Sequence, residues 1–156
     1  MKKRFNLRVL VICFLIVFGT AFVGSLFTSK NVDTSWYQNI KPDITPPNYV
    51  FPIVWNILFF LIALSLYFAW IYSSKDQKKK IVLVYGINLF LNAFWSFVFF
   101  GLKLPLYAFG VLILLEFSII SMIYVTYKIN KKFSYFLIPY LLWVSFAGIL
   151  NYFIAT

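Results

Sequence analysis

The chain has 156 residues, of which 63% are hydrophobic, 23% aromatic and only 12% charged, with a formal net charge of +10. A soluble domain keeps about a quarter of its residues charged, so this chain has too few polar groups to clothe a water-facing surface and reads as an integral membrane protein. It contains no His and a single Cys. That excludes, from the chain itself, histidine general bases, Ser-His triads, His-ligated haem or zinc, Cys-based metal sites and a disulfide framework.

Five apolar runs follow one another, at about 9–27, 50–72, 81–102, 104–127 and 133–155. Each is long enough for a helix to cross ~30 Å of hydrocarbon, and none shows the strict alternation of an outer-membrane barrel strand. The expectation is one all-α domain over residues 1–156, a five-transmembrane-helix bundle. The first run has a basic start and the small residues Gly19, Thr20, Ala21, Gly24 and Ser25, as a cleaved signal peptide does. Its apolar core is too long and lacks a clean A-x-A site, so it is read as a retained span. Cys13 lies inside it. Gly19 and Gly24 here, with Gly86 and Ala93 in the third run, permit close helix approach, for bundle packing or for a homodimer face.

Residues 28–49 form the one long connection. Their prolines fix φ near −65° and push each preceding residue extended, so the segment is stiff. No helical pattern is evident in it. Two readings stay open: a connector lying on the membrane surface with Trp36 and Tyr37 as interfacial anchors, or a lid over a pocket between helices.

Polar residues mark the later spans. Trp55, Asn56 and Phe59 sit near the start of the second. In the third, Asn88, Asn92, Trp95 and Ser96 share a stripe at helical spacing. Lys103 and Pro105 leave room only for a tight hairpin into the fourth, whose single acid is Glu116. In the fifth, Pro139, Trp143, Ala147 and Asn151 follow at i+4. An Asn in hydrocarbon faces protein because its amide needs partners, so Asn88 and Asn151 read equally as interhelical bonders or as site residues, whereas Asn92, which shares its face with Trp95 and Ser96, reads more as a site residue. Glu116 reads either as a proton or cation site or as a carboxyl bonded to a neighbouring helix.

Eleven of the fourteen basic residues fall on one side: Lys2, Lys3, Arg4 and Arg8, then Lys75, Lys78, Lys79 and Lys80, then Lys128, Lys131 and Lys132. Lys30, Lys41 and Lys103 fall on the other. The positive-inside rule then places the N-terminus in and the C-terminus out. Anionic lipid explains these short basic turns, and no nucleic acid partner is expected.

Three stretches, "WYQNIKPDITPPNYVFPIVW", "NLFLNAFWSFVFFG" and "PYLLWVSFAGILNY", together resemble the TspO/MBR family of tryptophan-rich sensory proteins and translocator proteins. The resemblance covers essentially the whole chain. It implies a five-helix bundle, often homodimeric, with a pocket at one end covered by the first loop, and so favours the lid reading of residues 28–49. It also implies a porphyrin such as protoporphyrin IX or haem as ligand, with no cofactor required. Carried over by position, the binding residues are Tyr37, Pro46, Trp55, Phe59, Asn92, Trp95, Ser96, Trp143 and Ala147. Lys41 is placed to meet a porphyrin propionate at the mouth. Three departures stand out: Ile44 occupies a frequent Trp position of the lid, Val111 a frequent acid position of span 4, and Tyr152 lacks the basic residue that would complete a cholesterol motif. Cholesterol is therefore not the expected ligand.

The implied function is a membrane binding protein for porphyrin-like ligands, acting as sensor, carrier or stress regulator, in a prokaryotic cytoplasmic membrane. The alternatives are light-dependent porphyrin degradation, with Trp55 and Trp143 as radical partners, proton-coupled transport through Glu116, and a structural membrane protein with an empty pocket.

Overall fold

The computed structural model describes residues 5–156, and those residues form helices and turns with no strand among them. Lys2, Lys3 and Arg4, which contribute to the topology expectation, lie outside the described residues. The long helix α1, Leu7–Asn31, is capped by Asn6, whose side chain accepts from the Val9 N–H at 3.2 Å. A six-residue helix α2, Ser35–Ile40, follows inside the long connection. This corrects the expectation that the connection is without helix. Its six residues are free of proline, and they end at Lys41, which is extended (φ −68°, ψ 136°) as the residue before Pro42 must be.

Helix α3, Val50–Tyr72, and helix α4, Lys75–Ser96, are joined by a short turn in which Ser74 and Gln77 form a reciprocal capping box. That box starts α4 within the lysine cluster, six residues before the apolar run at 81. A π-helical turn, Phe97–Gly101, extends α4, and Lys103 then adopts a left-handed conformation at φ 55°. The predicted hairpin is thus realised, and α5, Pro105–Ile129, begins with its proline in the first turn, where no N–H is needed. The last span opens as a short helix α6, Lys131–Ser134, passes through a tight turn at Tyr135–Leu137, and continues as α7, Ile138–Ala155. Five helical stretches are long and apolar enough to cross a membrane: Leu7–Asn31, Val50–Tyr72, Lys75–Gly101, Pro105–Ile129 and Lys131–Ala155.

Helix α5 packs most extensively on α4 and α7, while α1 lies across α3 and α4. The end of the bundle bearing residues 28–49 is called here the lid end, and the opposite one the basic end. Ile62, Ile81, Ile119, Met122, Leu137 and Tyr140 are fully enclosed. Many equally apolar side chains point outward, Leu15 and Phe117 among them, as they must when the solvent is lipid. Gly24 marks a true close approach: a Cβ there would meet Ser96 Oγ at 3.4 Å and the Ala93 backbone at 3.9 Å. Gly19 and Gly86 have nothing within 4 Å, so they mark no contact inside the bundle.

Candidate functional site

The lid is docked on the bundle. Tyr37 on α2 is buried, with its ring 5.4 Å from Phe100 and 6.2 Å from Phe99 of the π-helical turn, and Trp36 lies 5.9 Å from Phe99. The Lys103 ammonium sits 5.6 Å from the Trp36 ring centre, in cation–π range. Burial pushes the Tyr37 phenol above its ordinary range. Two backbone turns, Thr45 N–H to Pro42 and Val50 N–H to Pro47, fold the proline-rich arm back towards α3. Asn48 then donates to the Asp33 carboxylate at 2.7 Å, joining the two arms of the lid.

Beneath the lid lies a cavity of about 690 Å³, within the range of ligand sites for small molecules. Eight of the nine expected binding residues line it: Tyr37, Trp55, Phe59, Asn92, Trp95, Ser96, Trp143 and Ala147. Pro46 does not; it sits between the two backbone turns and shapes the lid instead. Lys41 is not in the wall either, nor is Ile44, which is exposed, so the departure from a lid Trp falls on the outer surface. Asp33 is the one charged side chain, among the described residues, that lines the cavity.

The floor is a hydrogen-bonded set of side chains. Tyr140, fully buried on α7, donates to Asn88 Oδ1 at 3.2 Å and accepts from Asn92 Nδ2 at 2.9 Å, while Asn88 Nδ2 donates to Ser118 on α5 at 2.8 Å. Of the two readings of Asn88, its partners match the interhelical bond. Asn92 does both jobs, giving its N–H to Tyr140 while lining the cavity. Asn151 is likewise shared: it accepts from Trp95 Nε1 at 3.1 Å, donates to the Pro105 carbonyl at 2.8 Å, and borders the hollow. Each such bond fixes helix against helix and is worth about 0.6–1.7 kcal/mol in a membrane.

Trp143 differs from these. Its ring packs at 5.8 Å from Phe51 and 5.6 Å from Phe146, and its Nε1 is buried without a hydrogen-bond partner. An unmatched buried donor is costly, and this one belongs to a residue that faces the hollow. That N–H has no surface open to the hollow, so a bound molecule's acceptor would reach it only if the indole ring turned. Trp55 stacks on Phe59 at 5.5 Å and meets Tyr140 edge-on at 6.1 Å, leaving aromatic faces suited to a flat ring system.

Glu116 is half-buried and lies away from the cavity, on the seam between α5 and α7, where it accepts from the Ser145 hydroxyl. Of the two readings of this acid, its position matches the bonded neighbour. Val111 packs among the aromatic residues of the π-helical turn and also stays out of the wall.

Sequence reasoning did not pick out Tyr140 or the α1 wall, which includes Phe18, Phe22 and Ser25. Tyr140 carried a signal, a hydroxyl in a hydrophobic span. Helix α1 carried one as well: Ala21, Gly24, Ser25, Thr28 and Ser29 recur at helical spacing as a small and polar stripe, and all five line the hollow.

Comparison with known proteins agrees with this architecture. The TspO/MBR family model matches residues 11–156. The chain is 39% identical over 148 residues to the Tryptophan-rich protein TspO of Archaeoglobus fulgidus, covering 94% of this chain and 95% of the relative. It is 36% identical over 148 residues to the protein of the same name from Chlorobaculum tepidum, covering 92% and 91%. It is also 30% identical over 134 residues to the Translocator protein of Homo sapiens, covering 84% and 79%.

Proposed function

The chain belongs to the TspO/MBR family of membrane proteins, and from that premise we propose that it binds flat, apolar, porphyrin-like molecules in the cavity beneath residues 28–49. The reading places it in a prokaryotic cytoplasmic membrane with the lid end outside, serving as a sensor, carrier or stress regulator. The basic loops at the opposite end support that orientation, and the bacterial and archaeal relatives support that membrane.

The observation that carries the reading is the wall itself. Three of the five tryptophans, Trp55, Trp95 and Trp143, converge on one hollow of about 690 Å³ whose other walls are mostly apolar, with a few fixed polar groups among them. Such walls hold a conjugated disc by offset and edge-on ring contacts, while the Asn92 amide oxygen, left free by the bond its N–H makes to Tyr140, orients it. A docked, proline-stiffened lid lowers the entropy lost on closing. Nothing comparable favours transport through Glu116, which lies outside the hollow.

Titration of the purified protein with protoporphyrin IX, haem and cholesterol, followed by tryptophan quenching, tests the proposal. Both porphyrins are expected to saturate at one site and cholesterol is not. Ala147→Phe, which fills the hollow, is expected to weaken porphyrin at least about tenfold, or 1.4 kcal/mol. Quenching that is equal in the parent and Ala147→Phe would sink the assignment of this cavity. Illuminating the porphyrin complex addresses the degradative alternative: a new absorbing product that vanishes in the Trp55→Phe, Trp143→Phe double variant would favour chemistry over binding alone.

A further inference from the structure

We infer that the cavity has a side door to the bilayer, between α1 and α3 at the lid end, and is loaded with molecules dissolved in the leaflet on that side. The inference rests on the cavity of the preceding section and adds the route and the phase from which its ligand comes.

The two helices are in contact at one end and apart at the other. Towards the basic end they are bound by the Asn6 N–H to Tyr67 hydroxyl bond at 3.1 Å and by ring pairs Phe5–Tyr67 at 6.1 Å and Phe14–Phe60 at 5.5 Å. The last such pair along α1 is Phe18–Phe59 at 6.3 Å. Beyond it α1 leans on other partners: Gly24 approaches Ser96 and Ala93, and Phe27 packs at 5.2 Å against Phe97. From Phe18 and Phe59 to the lid both helices border the hollow, α1 through Phe22 and Ser25 and α3 through Pro52 and Asn56.

The residues flanking that part of the hollow face two ways. Phe22 lines the hollow yet is 64% exposed, and Ser25, Pro52 and Asn56 line it and are exposed too. A wall residue open on its outer side describes a doorway. Ser25 lies six residues before the end of α1 and Asn56 six residues after the start of α3. At 1.5 Å per residue both stand about 9 Å below the helix ends, and both fall within the apolar runs 9–27 and 50–72.

Their chemistry fits that depth. The Ser25 hydroxyl donates to the Phe22 carbonyl at 2.8 Å, and the Asn56 amide donates to the Pro52 carbonyl at 2.8 Å. The Ser25 hydroxyl meets its donor requirement on its own helix and the Asn56 amide places one of its two N–H groups there, which lowers the cost of standing at a lipid-facing surface. Their oxygens still have acceptor capacity for a polar substituent in transit. On the outer face of α1 an apolar groove formed by Leu10, Val11, Phe14, Leu15 and Gly19 runs up to Phe18, which is also a wall of the cavity. The ligand class that follows is a bilayer-partitioned, flat amphiphile that enters edge-first, with its polar margin towards Asn48 under the lid.

The test uses the full chain in nanodiscs carrying Cys13→Ser, Ser25→Cys and Asn56→Cys, with the two new thiols joined by a reducible bis-methanethiosulfonate bridge. The probe is 10-doxylnonadecane, a nitroxide that dissolves in the bilayer, and the readout is its quenching of the emission that disappears with Trp143→Phe. Bridging is expected to lower that quenching roughly threefold or more, with recovery on reduction, as for any gated entry. Quenching that is unchanged by the bridge overturns the doorway. A bridge that instead blocks aqueous iodide and spares the nitroxide also overturns it, by moving the entrance to the water side. Phe22→Ala needs no cysteine and is expected to raise nitroxide quenching about twofold; no rise counts against the proposal. Porphyrin titration of the unbridged protein separates the two readings. Nitroxide entry without porphyrin binding refutes the ligand assignment alone, and porphyrin binding whose rate ignores the bridge refutes the doorway alone.

Discussion

At the basic end of the bundle Tyr85 sits between Ser65, at 2.8 Å, and Thr126, at 3.0 Å, and Ser65 in turn reaches the Phe133 carbonyl at 3.0 Å. Three long helices and the short α6 that opens the last span are tied there by hydroxyl groups that all have partners, inside a packed shell of Ile81, Met122 and Leu137. At the lid end the same helices splay around a hollow, and the buried Trp143 N–H has no partner. The contrast shows a division of labour along each helix. One half is saturated with contacts and defines the bundle, and the other holds its rings apart at the expense of packing and of a satisfied donor. A protein can leave such a group unmatched where the ring can turn and a second molecule then supplies the match.

The comparison can be broken most directly at the packed half. Met122→Ala, fully enclosed between helices, is expected to lower stability by about 2–5 kcal/mol, read as a drop in thermal or denaturant midpoint in detergent. A loss no larger than that of a cavity-wall variant would erase the distinction between the two halves. The hollow half gives the converse result. Trp143→Phe keeps a ring in place and removes a donor that bonds nothing in the free protein, so stability should hold to within about 0.5 kcal/mol. Binding of an acceptor-bearing porphyrin should weaken by about 1 kcal/mol, or fivefold in Kd. Equal affinity would mean that the N–H is not a ligand contact. The smallest expected effect lies at the mouth. Asp33 is the charged wall residue and is exposed to solvent, so Asp33→Asn should tighten a dianionic porphyrin by only about two- to threefold, and less as salt rises. A weaker affinity in that variant would show that the Asp33–Asn48 bond holds the lid more than its charge repels the ligand.

Much of this molecule was legible before any coordinates. Hydrocarbon thickness and the need to satisfy every backbone group within a span leave little choice but helices of about 20 residues, and the apolar runs give their number and approximate limits. The i+4 stripes of Asn88–Asn92 and Trp143–Ala147 pointed to the faces that meet, because a polar or indole-bearing face in a membrane helix turns to protein. Three features were decided only by tertiary structure. The α2 helix of the lid depends on Tyr37 finding the Phe99–Phe100 surface, a contact between segments some sixty residues apart that leaves no periodic trace in six residues. The assignment of Tyr140, rather than the residues of its neighbouring stripe, as the anchor of Asn92 depends on how α7 is rotated after the tight turn at Tyr135–Leu137. The parting of α1 from α3 is the clearest case. From Val9 to Gly19 helix α1 is apolar on all sides, and lipid and protein interior are nearly equivalent solvents for such a surface, so that stretch could not say which face meets α3; only the small and polar residues Gly24, Ser25, Thr28 and Ser29 nearer its end mark the face that borders the cavity.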